Sequence, residues 1–178
     1  MTSTLRSLSQ SVSGRYAGTH DRPLPGYLAL AGTYTALAGA ALAVARRRAG
    51  RGGAEVGWSD LALITVSTFR LSRILTKDAI SSPLRAPLTS FNGPGLPGEV
   101  NEEVAPHIEG RPVLHAVSEL VTCPFCAGQW VATSLVVGQV LAPRMTRLVT
   151  SVLTAAAGAE VLHHAHAALH RLEAPEHA

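Results

Sequence analysis

Charged residues are scarce in this sequence, at 15% of 178 residues, where soluble domains usually have roughly 25%. Aromatic residues make up only 4%, which argues against a large aromatic-rich soluble core. Lysine occurs once, at Lys77, so arginine supplies 14 of the 15 basic residues. No nucleic-acid-binding module accompanies these arginines and no aromatic residues interleave with them, so no nucleic-acid partner is expected. We expect the net charge of +3 to favour anionic lipid headgroups instead.

Three further features are missing. Cys123 and Cys126 are the only cysteines, too few for a disulfide framework. Residues 1–26 lack a compact apolar core followed by a cleavage site, so no cleaved signal peptide is predicted, and their Ser, Thr, Gly and Arg content predicts a flexible segment. The Ser, His and acidic residues occur in no recognisable nucleophile motif, and we expect the protein not to be an enzyme.

The sequence does contain two long stretches without charge. Residues 27–45 form the first, and a helix of about 20 residues crosses a hydrocarbon core of about 30 Å. A basic linker, 46–57, follows at once. The second runs from Leu120 to Pro143. A short linker with Arg144 and Arg147 and a further apolar segment follow it, which predicts a transmembrane helical hairpin over 120–168 and a polar tail at 169–178.

The segment between these stretches is different in kind. Residues 58–78 have an apolar stripe at helical spacing, with Arg70, Arg73 and Lys77 on another face. Two arginines deep in a spanning helix would be costly, so we predict an amphipathic helix lying in the membrane interface, unless a partner helix covers the stripe. Residues 79–119 follow, and their recurring Pro, Gly and Glu predict an acidic loop and a short helix.

Together these segments predict an all-α, multi-pass membrane protein with two or three spanning helices plus the amphipathic helix. The arginines that follow the first span favour a cytoplasmic location for residues 46–122 in a bacterial cell membrane. If residues 58–78 cross the membrane, Cys123 and Cys126 face outward instead.

The stretch VTCPFCAGQW raises the question of thiol or metal chemistry. The spacing predicts Cys123 at the N-cap of a helix, Pro124 at the first helical position and Cys126 at the third, close to the positive end of the helix dipole. Redox chemistry, a metal site completed by other ligands and simple packing of two small thiols all fit this arrangement. No cofactor is expected otherwise.

Two groups of charged residues are further candidates. Arg70, Arg73, Lys77 and Arg85 could bind lipid phosphates at the interface, or pair with glutamates of the acidic loop. Glu160, His163 and His164 are predicted to be ionisable groups within the membrane. They could relay protons or bind metal, or they could be exposed to water where the helix leaves the bilayer.

Several of these residues also carry a family resemblance. The segments FRLSRILTKDAISSPLRAP and ELVTCPFCAGQWVA are similar to a bacterial family of small membrane proteins, the domain of unknown function 1360. The resemblance runs from about Asp60 to Leu141, and its one departure is Ala127, where larger residues are usual. It implies an integral membrane protein and no established activity. The residues at pattern positions are Arg70, Arg73, Asp78, Arg85, Cys123, Cys126, Gly128 and Trp130.

Three functions are compatible with these observations. The protein could anchor or recruit a larger protein assembly at the membrane, through a protein partner or a homo-oligomer. It could be a membrane thiol or metal protein centred on Cys123 and Cys126. It could be a small oligomeric transporter or proton pathway that uses Glu160 and the nearby histidines.

Overall fold

A computed structural model describes Tyr16 and residues 22–50 and 56–173. Most of the predicted flexible segment, part of the basic linker and the end of the polar tail lie outside the described residues. Six α-helices and one two-stranded sheet are found in the described part of the chain: α1 Leu24–Ala49, α2 Trp58–Thr76, α3 Ser82–Arg85, β1 Thr89–Pro94, β2 Val100–Val104, α4 Pro112–Thr122, α5 Pro124–Leu141 and α6 Pro143–Glu173. The protein is therefore mostly helical, and all-α is an approximate description of its fold.

Two of the helices are long and apolar enough to cross a membrane, namely α1 and α6. The α4 and α5 helices are long and apolar enough only when they are taken together, and the chain bends sharply between them at Cys123. If this bent pair crosses as one span, the described residues contain up to three spans. Large apolar side chains on α1 and α6 are exposed, as at Leu28, Val152 and Leu162, which is the surface that lipid would cover.

The acidic loop predicted within residues 79–119 contains a β-hairpin, which the sequence analysis missed. Strands β1 and β2 pair antiparallel, with Thr89 opposite Val104 and Phe91 opposite Glu102, and an irregularity between Phe91 and Pro94. Glycines with positive φ, at Gly93 and Gly98, let the backbone turn at this end of the hairpin. The Pro and Gly residues that predicted a loop are therefore the residues of an irregular strand and its turn.

Backbone contacts divide the chain into two units, which we describe separately. The first comprises Met1–Ala40 and Ile74–Ala127 and thus contains the hairpin and α4. Its buried apolar side chains include Ala105, Ile108 and Ala116.

The second unit comprises Ala41–Arg73 and Gly128–Ala178. Its apolar core is formed by Ile64 of α2 with Val131 and Leu135 of α5. A partner helix therefore covers part of the apolar stripe of α2, one of the two arrangements that the sequence left open. This core brings α2 and α5 together in the second unit.

Small residues of α5 lie where neighbouring helices come close. A Cβ on Gly128 would stand 3.9 Å from Thr68 and 4.0 Å from Ser72, both of α2. A Cβ on Gly138 would stand only 2.9 Å from Thr146 Oγ1 of α6. The distances at Gly128 are ordinary contact, whereas the close approach at Gly138 requires a residue without a side chain.

Candidate functional site

Arg85 is the centre of a buried polar cluster in the first unit. Its side chain is 2% exposed, and Nε donates to Glu102 Oε2 at 2.6 Å while Nη2 donates to Oε1 at 3.2 Å. Nη1 donates to the Leu75 carbonyl at 2.9 Å and to Ser81 Oγ at 2.6 Å. One guanidinium thus ties the end of α2, the turn after it and strand β2 together. Arg85, predicted either to bind lipid phosphates or to pair with a glutamate of the acidic loop, is buried and paired with Glu102 in this structure.

Burial and hydrogen bonding act in opposite directions on Glu102. Burial of the carboxylate would raise its pKa, but hydrogen bonds from Arg85, Ser82 and Thr89 and the positive charge of Arg85 outweigh it, so the pKa of Glu102 lies below its ordinary value of 4.5. The Glu102 side chain is 6% exposed. The Arg85–Glu102 contact is therefore a buried ion pair that holds the hairpin to the helices before it.

In the second unit, a polar seam joins α2 to α6. Arg147 donates through Nη2 and Nε to Asp60 Oδ1, at 2.6 and 3.0 Å. Ser67 is fully buried and its hydroxyl donates to the Thr150 carbonyl at 2.9 Å. The seam also includes an Arg70–Glu160 ion pair at 3.6 Å.

The arginines of the predicted basic group have different contacts. Arg70 pairs with Glu160, and the Arg73 guanidinium lies 5.6 Å from the centre of the Phe69 ring. Sequence reasoning missed Asp60 and Arg147 as partners, because they are 87 residues apart and no local pattern connects them.

The structure places the two cysteines where their spacing predicts. Cys123 has extended backbone between α4 and α5, Pro124 begins α5, and the Cys126 N–H donates to Cys123 Sγ at 3.4 Å. Both thiols are free, and Cys126 is exposed. No group of three His, Cys, Asp or Glu residues with metal-binding geometry occurs within the described residues. A metal bound by these thiols would therefore need ligands from elsewhere, such as a second copy of the chain.

The histidines near Glu160 do not join it in one cluster. Glu160 faces Arg70, whereas His163 and His164 are exposed. The closest histidine contact is instead between His166 and His170, whose Nε2 atoms are 3.1 Å apart. The sequence thus identified Glu160 as a charge inside an apolar helix, but it did not identify the partner.

Another polar contact ties the start of α1 to α4. Arg22 Nη1 lies 3.0 Å from Glu119 Oε1, and the Tyr27 hydroxyl donates to Glu119 Oε2 at 2.5 Å. Gly26 lies against the Pro112 carbonyl, where an added Cβ would be only 1.9 Å from the oxygen. Proline and glycine are common at the start of a helix, so no local pattern indicates this contact.

Most of the residues described above fall within one family match. The family described as "Protein of unknown function (DUF1360)" matches residues 63–166, which is more than half of the chain. The chain belongs to the DUF1360 family. This confirms the resemblance carried by the Arg70–Arg85 segment and the CPFC turn.

One relative of this DUF1360 protein is the sporulation protein YjcA of Bacillus subtilis (strain 168). The two are 29% identical over 102 residues, which are 57% of this chain and 86% of the relative. No solved structure matches the chain significantly. The relative therefore offers a biological setting for comparison but no reaction.

Proposed function

We propose that this DUF1360 protein is an integral protein of the bacterial cell membrane that acts without catalysis, by anchoring a larger protein assembly. The α1 and α6 helices provide the membrane attachment, and lipid is the partner that their exposed apolar side chains require. Arg46, Arg47 and Arg48 are exposed in the last turn of α1, where anionic headgroups would bind them.

The segment between α2 and α4, which the buried Arg85–Glu102 pair holds in place, supports the anchoring role. A chain that only crossed a membrane would not need a hairpin held by a buried ion pair. This segment also exposes large apolar side chains: Ile80 is 86% exposed, Leu84 77% and Phe91 68%. Such side chains on a fixed support are suited to bind a protein partner.

The relative is compatible with this proposal. Its name places it in sporulation and mentions no reaction. A membrane anchor in a bacterial developmental process is thus a reasonable setting for the family, and it requires neither a cofactor nor a catalytic group.

Copurification from native membranes tests the anchoring function. The tagged full chain is cross-linked in cells, solubilised in detergent and compared with Leu84→Ser and Phe91→Ser variants. We expect a specific protein to copurify with the wild type and to be reduced several-fold with these variants. Leu172→Ser, which changes an 84% exposed leucine at the end of α6, is the matched control and should retain the protein.

Two outcomes would contradict the proposal. One is that no protein copurifies with the wild type above background. The other is that the Leu84, Phe91 and Leu172 variants retain the partner equally. A second, differently tagged copy of the chain tests whether the bound protein is the chain itself.

Thiol or metal chemistry is a second candidate function, favoured by the position of two free cysteines in the first turn of α5. Two copies of the chain would supply four sulfur ligands, the number that a structural zinc site uses. Replacing Cys123 and Cys126 with Ser should then remove bound zinc, or, for a redox role, the two thiols of the wild-type chain should be found oxidised in cells. The same metal content in the wild type and the Ser variant, together with fully reduced wild-type thiols, would exclude this function.

A proton pathway through Glu160 has less support. Its carboxylate lies 3.6 Å from Arg70 and forms an ion pair with that guanidinium, so the structure gives it a role in helix packing. His163 and His164 are exposed and do not extend the path.

A further inference from the structure

The α2 helix contains Asp60, Arg70 and Arg73, which is too much charge for a helix that crosses a membrane alone. We propose that α2 nevertheless crosses, together with α5 and α6, and that residues 77–122 lie on the side of the membrane opposite to Arg46, Arg47 and Arg48. The inference rests on the proposed membrane attachment and adds the path of the chain. It replaces the cytoplasmic location expected for residues 46–122.

The direction of α1 across the membrane follows from its charges. Its only basic residues are the three arginines of its last turn, and basic residues beside a span stay in the cytoplasm. The end of α1 is therefore cytoplasmic and its beginning is on the outer side.

Contacts with the beginning of α1 place α4 on the outer side as well. Arg22 and Tyr27, at the beginning of α1, both bind Glu119 of α4, and Gly26 lies against the backbone of Pro112. The chain leaves α1 in the cytoplasm and must reach α4 on the outer side. Between them lies α2, whose 19 residues span about 28 Å, close to the thickness of the hydrocarbon core.

Contacts within the second unit independently indicate the same direction for α2. The α2 and α6 helices run parallel, because their contacts advance together along both. These contacts are Asp60–Arg147, Ser67–Thr150 and Arg70–Glu160. Since α6 is a candidate span, a helix that packs parallel to it over three turns passes through the same layer.

This packing also brings the positive charges to one side. The Asp60–Arg147 pair places the beginning of α6 level with the beginning of α2. Arg144 and Arg147 then join Arg46, Arg47 and Arg48 in the cytoplasm. If α2 did not cross, Arg144 and Arg147 would lie outside, against the usual distribution.

The structure also lowers the cost of the charges in α2. Asp60 is in the first turn and is paired with Arg147. Arg70 is paired with Glu160, and Arg73 lies over the Phe69 ring. Both arginines are within two turns of the end of α2, from which long side chains reach the interface. The arginine cost that argued for an interfacial helix is therefore met by partners within the bundle.

Cysteine labelling in intact cells tests this path. In full-length protein with Cys123 and Cys126 replaced by Ser, single cysteines are introduced as Ser59→Cys, Leu96→Cys and Met145→Cys, at three exposed positions. A membrane-impermeant maleimide should label Leu96→Cys in intact cells and label the other two only after permeabilisation.

Each other outcome has a defined meaning. If positions 59 and 96 share a side, α2 does not cross and the inference is overturned. If they lie on opposite sides with 59 outside, the proposed orientation is wrong. If all three are labelled in intact cells and the protein is released without detergent, membrane attachment itself fails, which overturns the proposed function as well.

A charge exchange tests the pairing that supports the crossing. Arg70→Glu and Glu160→Arg should each lower the amount of membrane-inserted protein several-fold, and the double variant should restore most of it. A double variant no better than the single variants would show that the pair does not support α2 in the membrane.

Discussion

Gly26 of α1 packs directly against the backbone of α4. A Cβ there would overlap the Pro112 carbonyl oxygen, at 1.9 Å, and lie 3.0 Å from the Ala116 side chain. We expect Gly26→Ala to destabilise the protein by about 1–3 kcal/mol, the usual cost of overpacking. Gly39→Ala is the matched control in the same helix, since nothing lies within 4 Å of its Cβ position, and it should not lower the thermal midpoint in detergent. Equal midpoints for both variants would contradict the contact.

Glu102 makes the stability of the hairpin region depend on pH. Because its pKa in the folded state is below 4.5, the ionised carboxylate stabilises the fold above that pH, and the contribution is lost as pH falls through the folded-state pKa. We expect Glu102→Gln to cost up to about 3–5 kcal/mol at neutral pH, as for a broken buried pair, and less in acid.

Hydrogen exchange of the residue 77–122 amides, measured from neutral to acid pH, checks this expectation. Exchange should be faster in Glu102→Gln than in wild type at neutral pH, and the difference should shrink in acid. Glu103→Gln is the control, because Glu103 is exposed and accepts only from Asn92 among the hydrogen bonds described. A constant difference across the pH range would show that ionisation of Glu102 does not stabilise the hairpin.

For individual residues, the sequence predicted those positions that depend only on near neighbours in the chain. Cys123, Pro124 and Cys126 occupy the helix-start positions that their spacing indicates, since capping depends only on neighbours within one turn. Pairing of Arg85 with a glutamate of the acidic loop was one of the two predicted alternatives, but the particular glutamate could not be predicted, because only the hairpin register brings Glu102 to the guanidinium.

At the scale of secondary-structure elements, the polar contacts between α2 and α6 are expected to hold the two helices together. Ser67 is completely buried and joins α2 to the Thr150 carbonyl of α6. Ser67→Ala should cost about 1 kcal/mol, the net value of such a hydrogen bond, and should lower the thermal midpoint in detergent. Thr65→Ala is the control, since the exposed Thr65 hydroxyl bonds only within its own helix, to Leu61. An unchanged midpoint for Ser67→Ala would show that this contact does not hold the helices together.

Elements with a strong local signal were predicted better than those without one. Helix α1 extends over Leu24–Ala49 around the predicted span 27–45, because an uncharged run can be recognised from composition alone. The hairpin was missed because β1 reads TSFNGP, with Asn, Gly and Pro in half of its positions. Pairing across the turn, and not strand propensity, stabilises this strand.

For the molecule as a whole, the charge-free runs predict candidate membrane spans but not the path of the chain. Charge counting alone allowed residues 58–78 either to cross or to lie flat. The choice depends on contacts between residues far apart in sequence, such as Arg70 with Glu160 and Arg22 with Glu119. Composition reports the cost of a charge in lipid, but only the fold shows whether a partner offsets that cost.

The whole molecule should behave as an integral membrane protein, not as one held at the surface by its arginines. Leu28 is 73% exposed and Leu162 71%, and lipid must cover such side chains on α1 and α6. We expect the chain to stay in the membrane pellet after high salt and after alkaline carbonate, and to be released by detergent. Replacing Arg46, Arg47 and Arg48 with Gln should leave this retention unchanged, because apolar burial and not headgroup attraction holds the protein. Release of the wild type by salt or carbonate would show that neither α1 nor α6 spans the bilayer.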